Sequence, residues 1–368
     1  MRLVELERAL AGMVLARDVP GTNPVGPPLM CAGLVLTPGI VARAEASGVR
    51  CVWVDDELGR GVEPPPPLAP HTWAAALQTI ARVQDAARWA LAGGRAIDAP
   101  IMREVADVAE AIAHAIRNGE GDPGAQPVAD PHGQWHALRV TTLGLAIGER
   151  HLRTAGWVDH TQTARFDRIE QRLALLGVGL LLHDIGELAL ADPSRAGARA
   201  DAQALERHTL DGAAVLTAAL APLQVRTVVR HHHERWDGGG YPDRRAGTSI
   251  HQLARIAAVA DSFEELVAPR TGGAHSRAAA VAAIEAGSGT AFEPAIVEVL
   301  GALVLPYPVG HEVVLPDGRH GVVVHVDPMA RLAPTVRVPR GPDAVEELLV
   351  DMSAQFGALR APADANAA

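Results

Sequence analysis

An apolar run from Leu173 to Leu182 ends directly in the doublet His183-Asp184. The run is much shorter than the roughly 20 apolar residues of a membrane span, so it predicts a buried helix. A carboxylate at the end of such a helix is costly unless it is paired with a cation or bound to a metal ion. We therefore expect this doublet to meet other polar groups inside the fold.

The composition favours helices as the main element. Of the 368 residues, 48% are apolar but only 3% are aromatic, so the core must consist mostly of Ala, Leu and Val. Such small residues suit closely packed helices. The chain is long for one ordinary domain and suits two or three. We expect a mainly α fold with a small α+β module before the helices and a small β appendage after them.

Residues typical of helix starts and domain boundaries suggest where the parts of the chain begin and end. Thr37-Pro38 is typical of a helix start, and the proline run Pro64 to Pro67 is typical of a boundary. The predicted parts are an α+β leader over 1–65, a helical pair over 66–128, a helical domain over 129–304, a β domain over 305–352 and a disordered tail over 353–368.

The charge pattern excludes some functions. The formal net charge is −10, every basic residue is an arginine, and no basic block occurs. This argues against binding of a nucleic-acid polymer. The N-terminus lacks the core of a signal peptide, and no stretch is long and apolar enough for a membrane span, so we expect a cytoplasmic protein without a membrane partner. Cys31 and Cys51 are then expected as free thiols.

Histidine and aspartate side chains that could bind metal ions recur in the predicted helical domain. Each has an ordinary interpretation by itself: a core histidine, a surface histidine, a capping aspartate or a solvated histidine run. Together they offer five imidazoles and two carboxylates, the ligands that suit Fe, Mn or Zn. Two metals that share a carboxylate would suit phosphodiester hydrolysis. The candidate ligands are His136, His183, Asp184, His208, His232, His233 and Asp261.

The order of these motifs resembles the HD-GYP family, a branch of the HD metal-dependent phosphohydrolases. The string runs from His136 through His183-Asp184, His208 and His232-His233-Glu234 to Gly240-Tyr241-Pro242 and Asp261. The resemblance implies a helical HD-type domain with two divalent metals, usually Fe or Mn, held by the seven candidate ligands. It also implies that Asp184 bridges the metals and that cyclic di-GMP is cut to linear pGpG or GMP.

The same resemblance implies substrate contacts and partners. Gly240, Tyr241 and Pro242 would shape the loop over the substrate, and Arg270 would contact phosphate or guanine, which a bidentate guanidinium suits. A diguanylate cyclase or another signalling protein is a possible partner. The helical pair could also form a homodimer.

The sequence departs from the family pattern in three places. Glu187 replaces the lysine of the His-Asp-x-Gly-Lys motif, so it is either an additional metal ligand or a change that impairs catalysis. His132 stands where some members carry a glutamate for a third metal. Residues 264–265 and 271–273 differ from the usual pattern around Arg270. Two other functions therefore stay open: a metal-bound nucleotide sensor or protein scaffold with little activity, and hydrolysis of another cyclic dinucleotide or nucleotide.

Overall fold

The computed structural model describes residues 1–9, 11–19, 21, 27–64, 68–93, 96–120, 133–158, 161, 163–189, 202–268, 275–341 and 344–360. Helices dominate these residues, with small sheets at the two ends of the chain, so the predicted mainly α fold is confirmed. No helix in these ranges is long and apolar enough to cross a membrane. The domain boundaries drawn from the sequence stay predictions.

The leader is a small sheet with one helix. Strands β1 (Arg2–Glu5) and β2 (Val14–Leu15) both pair antiparallel with β3 (Cys51–Asp55). Helix α1 (Pro38–Ala46) begins as predicted, because Thr37 Oγ1 accepts a hydrogen bond from Ile40 N at 3.3 Å. Between residues 12 and 19, strand pairing covers only β2 and an isolated bridge at Val19. The leader has an apolar core of its own.

The helices that follow share one apolar core with the β appendage. Their bounds are α2 (Pro70–Leu91), α3 (Ala99–Arg117), α4 (Gln134–Ala155), α5 (Ile169–Leu181), α6 (Ala202–Ala218), α7 (Leu223–His231), α8 (Gln252–Val267), α9 (Arg277–Ala286) and α10 (Pro294–Leu303). Between α4 and α5, strands β4 (Trp157–Val158) and β5 (Ala164–Arg165) form a short antiparallel hairpin.

Helix α4 is the central helix, packed against α5 on one side and α8 on another. It is buried over most of its circumference from Trp135 to Leu152. Gly144 allows this close packing, because a Cβ there would lie 2.6 Å from Leu180 Cδ1 and 3.4 Å from Ala260 Cβ. The helical pair is part of the same body, since α2 packs against α4 and α3 packs against α5.

The C-terminal appendage is an antiparallel sheet. Its strands are β6 (Glu312–Val314), β7 (His320–His325), β8 (Thr335–Gly341) and β9 (Ala344–Leu349), in that spatial order. The small β appendage expected after the helices is confirmed, although no strand was expected at β9. The disordered tail is wrong for residues 353–360, which form α11 (Ser353–Arg360) against α9, with Met352 and Phe356 buried. The remaining tail lies outside the described residues.

Candidate metal centre

Histidines and aspartates from five segments converge at one end of the helical core. His136 lies in the first turn of α4, His208 on α6 and Asp261 on α8. The doublet His183-Asp184 begins two positions after the end of α5, and the doublet His232-His233 directly follows the end of α7. Two helix C-termini therefore point at the cluster, and their partial negative charge favours a cation there.

A glycine brings the His183-Asp184 segment against α6. After Asp184 the chain enters a 3₁₀ helix, Ile185–Ala189, which packs on α6. A Cβ on Gly186 would lie 1.9 Å from His208 O, so any other residue there would have to move the backbone. Gly186 thus allows α6 to pack closely enough for His208 to lie beside Asp184.

The two oxygens of Asp184 face different groups of histidines. Oδ1 lies 3.5 Å from His208 Nε2 and 3.5 Å from His232 Nε2. Oδ2 lies 3.3 Å from His183 Nε2 and 3.6 Å from His136 Nε2. This is the arrangement in which one carboxylate can be shared between two neighbouring cation positions.

Asp261 also reaches both groups. Its Oδ1 lies 3.1 Å from His136 Nε2 and 3.5 Å from His183 Nε2. Its Oδ2 lies 3.9 Å from His233 Nδ1. All seven predicted ligands therefore meet in one cluster, and the imidazoles of His136, His183, His208 and His232 are at most 2% exposed.

Backbone carbonyls orient two of the imidazoles. His183 Nδ1 donates to Leu180 O at 2.7 Å, and His232 Nδ1 donates to Val229 O at 2.9 Å. A carbonyl can only accept, so Nδ1 of each ring carries a proton and Nε2 is the nitrogen that faces the cluster. Histidine ligands of protein-bound metals are commonly oriented by this kind of hydrogen bond.

The cluster has the spacing and chemistry that cations require. His183 Nε2 lies 3.2 Å from His136 Nε2, and His208 Nε2 lies 3.3 Å from His232 Nε2. Nitrogen lone pairs at this separation repel one another unless a proton or a cation lies between them. Ligand atoms within 4.8 Å of one another form two groups that share Asp184: one with His136 and His183, and one with His208, His232 and His233.

The electrostatics favour a positive charge at the cluster. Burial opposes protonation of His183, but Asp184 and Asp261 outweigh it and hold its pKa well above the usual value. Burial would raise the pKa of Asp261, yet hydrogen bonds from His136 and His183 hold it well below its usual range. Burial, with His232 next in effect, lowers the pKa of His233 well below normal. A bound cation would take the place of the His183 proton, since metals bind ionised carboxylates and neutral imidazoles.

Glu187 lies beside the cluster, outside the two ligand groups that the described residues form. Its backbone N–H donates to Asp184 O at 2.9 Å, within the 3₁₀ helix Ile185–Ala189. Glu187 and Asp184 line one cavity together with Gln84 of α2, Gly133 and Ala137. The helical pair thus forms part of the wall near the metal centre, which no motif in the sequence indicates.

The Gly240-Tyr241-Pro242 loop packs directly on a candidate ligand. The Tyr241 ring stacks on the His233 ring, with centroids 4.8 Å apart, and Tyr241 N donates to His233 O at 3.2 Å. A Cβ on Gly240 would lie 2.3 Å from Arg235 N, so a side chain there would push the loop away. Pro242 follows Tyr241 at the half-buried edge of this loop.

A second acidic group behind the loop is structural. His231, Glu234 and Asp243 come within ligand distance of one another. Their oxygens already have partners, however: Glu234 accepts from Asp243 N and Arg245 N, and Asp243 accepts from Arg230 and His231. The glutamate after the histidine pair therefore ties down the loop that carries Tyr241.

Two predicted positions, His132 and Arg270, lie outside the described residues. Sequence reasoning missed a buried ion pair that stands one turn beyond two of the ligands. Arg139 on α4 donates from Nε to Glu264 Oε2 on α8 at 3.0 Å. The sequence offered one signal, which is spacing. Arg139 follows His136 by three positions and Glu264 follows Asp261 by three, and residues three positions apart share a helix face.

Similar proteins carry the same domain. Residues 153–296 match the model of the HD domain family. Cyclic di-GMP phosphodiesterase PA4108 from Pseudomonas aeruginosa is 35% identical over 167 residues, which cover 44% of this chain and 40% of that protein. The 3'3'-cGAMP-specific phosphodiesterase 2 from Vibrio cholerae is 35% identical over 96 residues, which cover 24% of this chain and 18% of that protein.

A solved structure aligns with most of the chain at low similarity. Bd1817, a HDG"Y"P protein from Bdellovibrio bacteriovorus, superposes with a TM-score of 0.48 at 14% identity, covering 81% of this chain and 97% of that chain. The matches to the two phosphodiesterases span less than half of their lengths. The matched HD region contains the doublet His183-Asp184 and extends past Asp261. The chain therefore carries an HD domain over residues 153–296, and the order of its motifs resembles that of the HD-GYP branch.

Proposed function

We propose that this chain is a metal-dependent phosphodiesterase that hydrolyses cyclic di-GMP. The observation that carries the proposal is the position of Asp184 between two groups of histidines, each facing a different oxygen of its carboxylate. The similarity to a cyclic di-GMP phosphodiesterase over 167 residues supports the choice of substrate. The products would be linear pGpG, GMP or both.

The proposed cofactor is a pair of divalent cations, with Fe and Mn favoured by the imidazole and carboxylate ligands. Bound cations would activate water and offset the charge of the phosphodiester. The proposed ligands are His136, His183, Asp184, His208, His232, His233 and Asp261. The near-complete burial of four of these imidazoles supports the proposal, since bulk water cannot then replace a cation as their partner.

Tyr241 is the proposed substrate contact nearest to the ligands. Burial, with the charges of Asp261 and Asp184 next in effect, raises the pKa of its phenol, which therefore stays protonated at neutral pH. A protonated hydroxyl can donate a hydrogen bond to a phosphate oxygen. Gly240 and Pro242 would hold the loop in place. Arg270 stays a proposed contact to phosphate or guanine on its chemistry alone.

Glu187 supports a second candidate, a nucleotide sensor or protein scaffold with weak activity. Glu187 lines the same cavity as Asp184, so it adds negative charge where a doubly anionic substrate would approach. We propose that Glu187 takes part in the site by modulating this approach. A third candidate is hydrolysis of another cyclic dinucleotide, which the similarity to a 3'3'-cGAMP-specific enzyme favours. A signalling-protein partner and a homodimer also stay proposals.

A substrate panel tests the function directly. The protein is purified without oxygen, loaded with Mn(II) or Fe(II), and incubated separately with cyclic di-GMP and 3'3'-cGAMP, and the products are separated by chromatography. Linear dinucleotide or GMP from cyclic di-GMP supports the proposal. Turnover of 3'3'-cGAMP alone would move the assignment to the third candidate. A protein with two metals per chain and no product from either substrate would support the sensor or scaffold.

A further inference from the structure

A buried ion pair lies next to the proposed metal ligands and joins the two helices that carry His136 and Asp261. Arg139 Nε and Glu264 Oε2 are 3.0 Å apart, and both side chains are almost completely shielded from water, at 9% and 0% exposure. Arg139 follows His136 by three positions on α4, and Glu264 follows Asp261 by three positions on α8. The pair therefore stands one helical turn from each ligand.

The pair belongs to the contact between α4 and α8. Gly144 faces Ala260 in the middle of this contact, and His151 Nε2 accepts from Gln252 Nε2 at 3.1 Å at its far end. Close packing at Gly144 sets the distance between the helix axes. The polar contacts at the two ends fix how far one helix can slide along the other.

Stability alone gives little reason for two charges at this place. A buried ion pair commonly adds no stability over an apolar pair of similar volume, because removing both charges from water costs as much as their attraction returns. Glu264 also lies within the electrostatic reach of the cluster: burial raises its pKa, and Arg139 and His136 oppose that rise. A pair of this kind has one clear geometric effect, which is the register between α4 and α8.

We infer that Arg139 and Glu264 are positioning residues that hold His136 and Asp261 at the separation needed to share a cation. His136 Nε2 and Asp261 Oδ1 are 3.1 Å apart although 125 positions separate them in the chain, and the ion pair is the adjacent contact that spans the same two helices. The inference rests on the proposed metal site, and it assigns a role to residues that do not touch a cation or substrate.

The test replaces both charges at once. Arg139→Met with Glu264→Leu removes both charges of the pair together, so the metal-free double variant should unfold close to the wild-type temperature. Its affinity for Mn(II), measured by titration without substrate, should fall about 10- to 100-fold, as for the loss of other outer contacts of metal ligands. Wild-type affinity for Mn(II) in this folded double variant would overturn the inference.

A matched control removes another, largely buried, ion pair from the same helix. Arg255 on α8 pairs with Glu293 at 2.5 Å, six positions before Asp261. Arg255→Met with Glu293→Leu should leave Mn(II) affinity unchanged; an equal loss would show that any buried pair on α8 has this effect, against a specific role for Arg139 and Glu264.

A milder variant covers the case in which the double variant does not fold. Glu264→Gln keeps the shape and one acceptor oxygen but removes the charge, and it should weaken Mn(II) binding by a smaller factor. A folded Glu264→Gln protein with wild-type affinity would contradict the inference. Because these readouts involve no substrate, a wild-type protein that binds Mn(II) but cuts no dinucleotide would contradict the proposed function and leave this result intact.

Discussion

Asp184 Oδ1 lies 3.5 Å from His232 Nε2, whereas Oδ2 of the same carboxylate faces the imidazoles of His136 and His183. One side chain thus belongs to two groups of candidate ligands that come from different helices. Its two oxygens stand where two cations could be held side by side. The consequences of losing that carboxylate differ from those of losing a ligand of one group alone.

We expect Asp184→Asn to lose metal from both positions, because the amide keeps the shape but supplies only one oxygen and no charge. Turnover should fall by at least about 100-fold. Metal per chain, measured by elemental analysis beside the product assay, checks this. The control Asp107→Asn alters an exposed aspartate on α3 and should change neither quantity. Full metal content in Asp184→Asn would mean that the carboxylate is not shared.

Glu187→Lys should lower the KM for cyclic di-GMP by roughly three- to tenfold, because it replaces a negative charge near Asp184 with a positive one. Glu187→Gln should give an intermediate value. Both variants should keep the wild-type metal content, since Glu187 stands outside the two ligand groups of the described residues. Loss of metal from Glu187→Gln would instead make Glu187 a ligand.

Tyr241→Phe should reduce kcat about tenfold while leaving the metal content unchanged. The variant keeps the ring that stacks on His233 and removes only the hydroxyl that could donate to phosphate. The chain has two tyrosines, and Tyr307→Phe is the matched control because Tyr307 is buried in the core. An unchanged kcat in Tyr241→Phe would limit Tyr241 to holding the loop.

Metal removal should destabilise the protein, because a cation that binds only the folded state shifts the unfolding equilibrium. At a metal concentration 100 times the dissociation constant this stabilisation is about 2.7 kcal/mol. We expect a chelator to lower the melting temperature of the metal-loaded protein by several degrees in a thermal scan. Asp184→Asn should respond little to the chelator. An unaltered melting temperature of the wild type would argue against a site that is filled only in the folded state.

Acid should destabilise the fold partly through His251. Burial, with Arg172 and Arg255 next in effect, lowers the pKa of His251 to about 4, whereas the unfolded chain takes up this proton near pH 6.5. Below pH 6.5 the unfolded state therefore binds more protons, and stability falls as the pH falls towards 4. Between pH 6.5 and 4.5 the loss should be about 2 kcal/mol.

His251→Asn tests this. Asn can still cap α8, as His251 Nδ1 does by accepting from Leu253 N, but it does not titrate. Urea unfolding at pH 6.5 and 4.5 should show a smaller loss of stability for this variant than for the wild type. Substitution of the exposed His320 by Asn is the control. Equal losses in the wild type and His251→Asn would exclude His251 as the source.

The ligand cluster was predictable because metal chemistry restricts residue types so strongly. Seven imidazoles and carboxylates in a fixed order rarely arise without a shared metal site, and the fold brings all seven together. Their local structure was less predictable. A helix end was expected at His183-Asp184 but not at His232-His233, and both doublets follow helix ends, where the chain turns and a carbonyl can accept from an Nδ1–H.

Other features depend on contacts that sequence spacing does not reveal. The pairing of Arg139 with Glu264 requires knowing that α4 and α8 are neighbours. Helix α11 was missed because the polar, Ala-rich tail resembles a frayed end, although Met352 and Phe356 at helical spacing could have indicated it. Strand β9 was missed because its sequence, AVEELL, suits a helix equally well, and its pairing with β8 decides the outcome.

The central claim is that two cations share Asp184 in one cluster, and electron paramagnetic resonance of the Mn(II)-loaded protein tests it most directly. With two equivalents of Mn(II) bound per chain, we predict the multiline spectrum of an exchange-coupled pair, and we predict that Asp184→Asn loses it. A spectrum of isolated six-line Mn(II) at two bound equivalents in the wild type would contradict the account, because the two ions would then be too far apart to share a carboxylate.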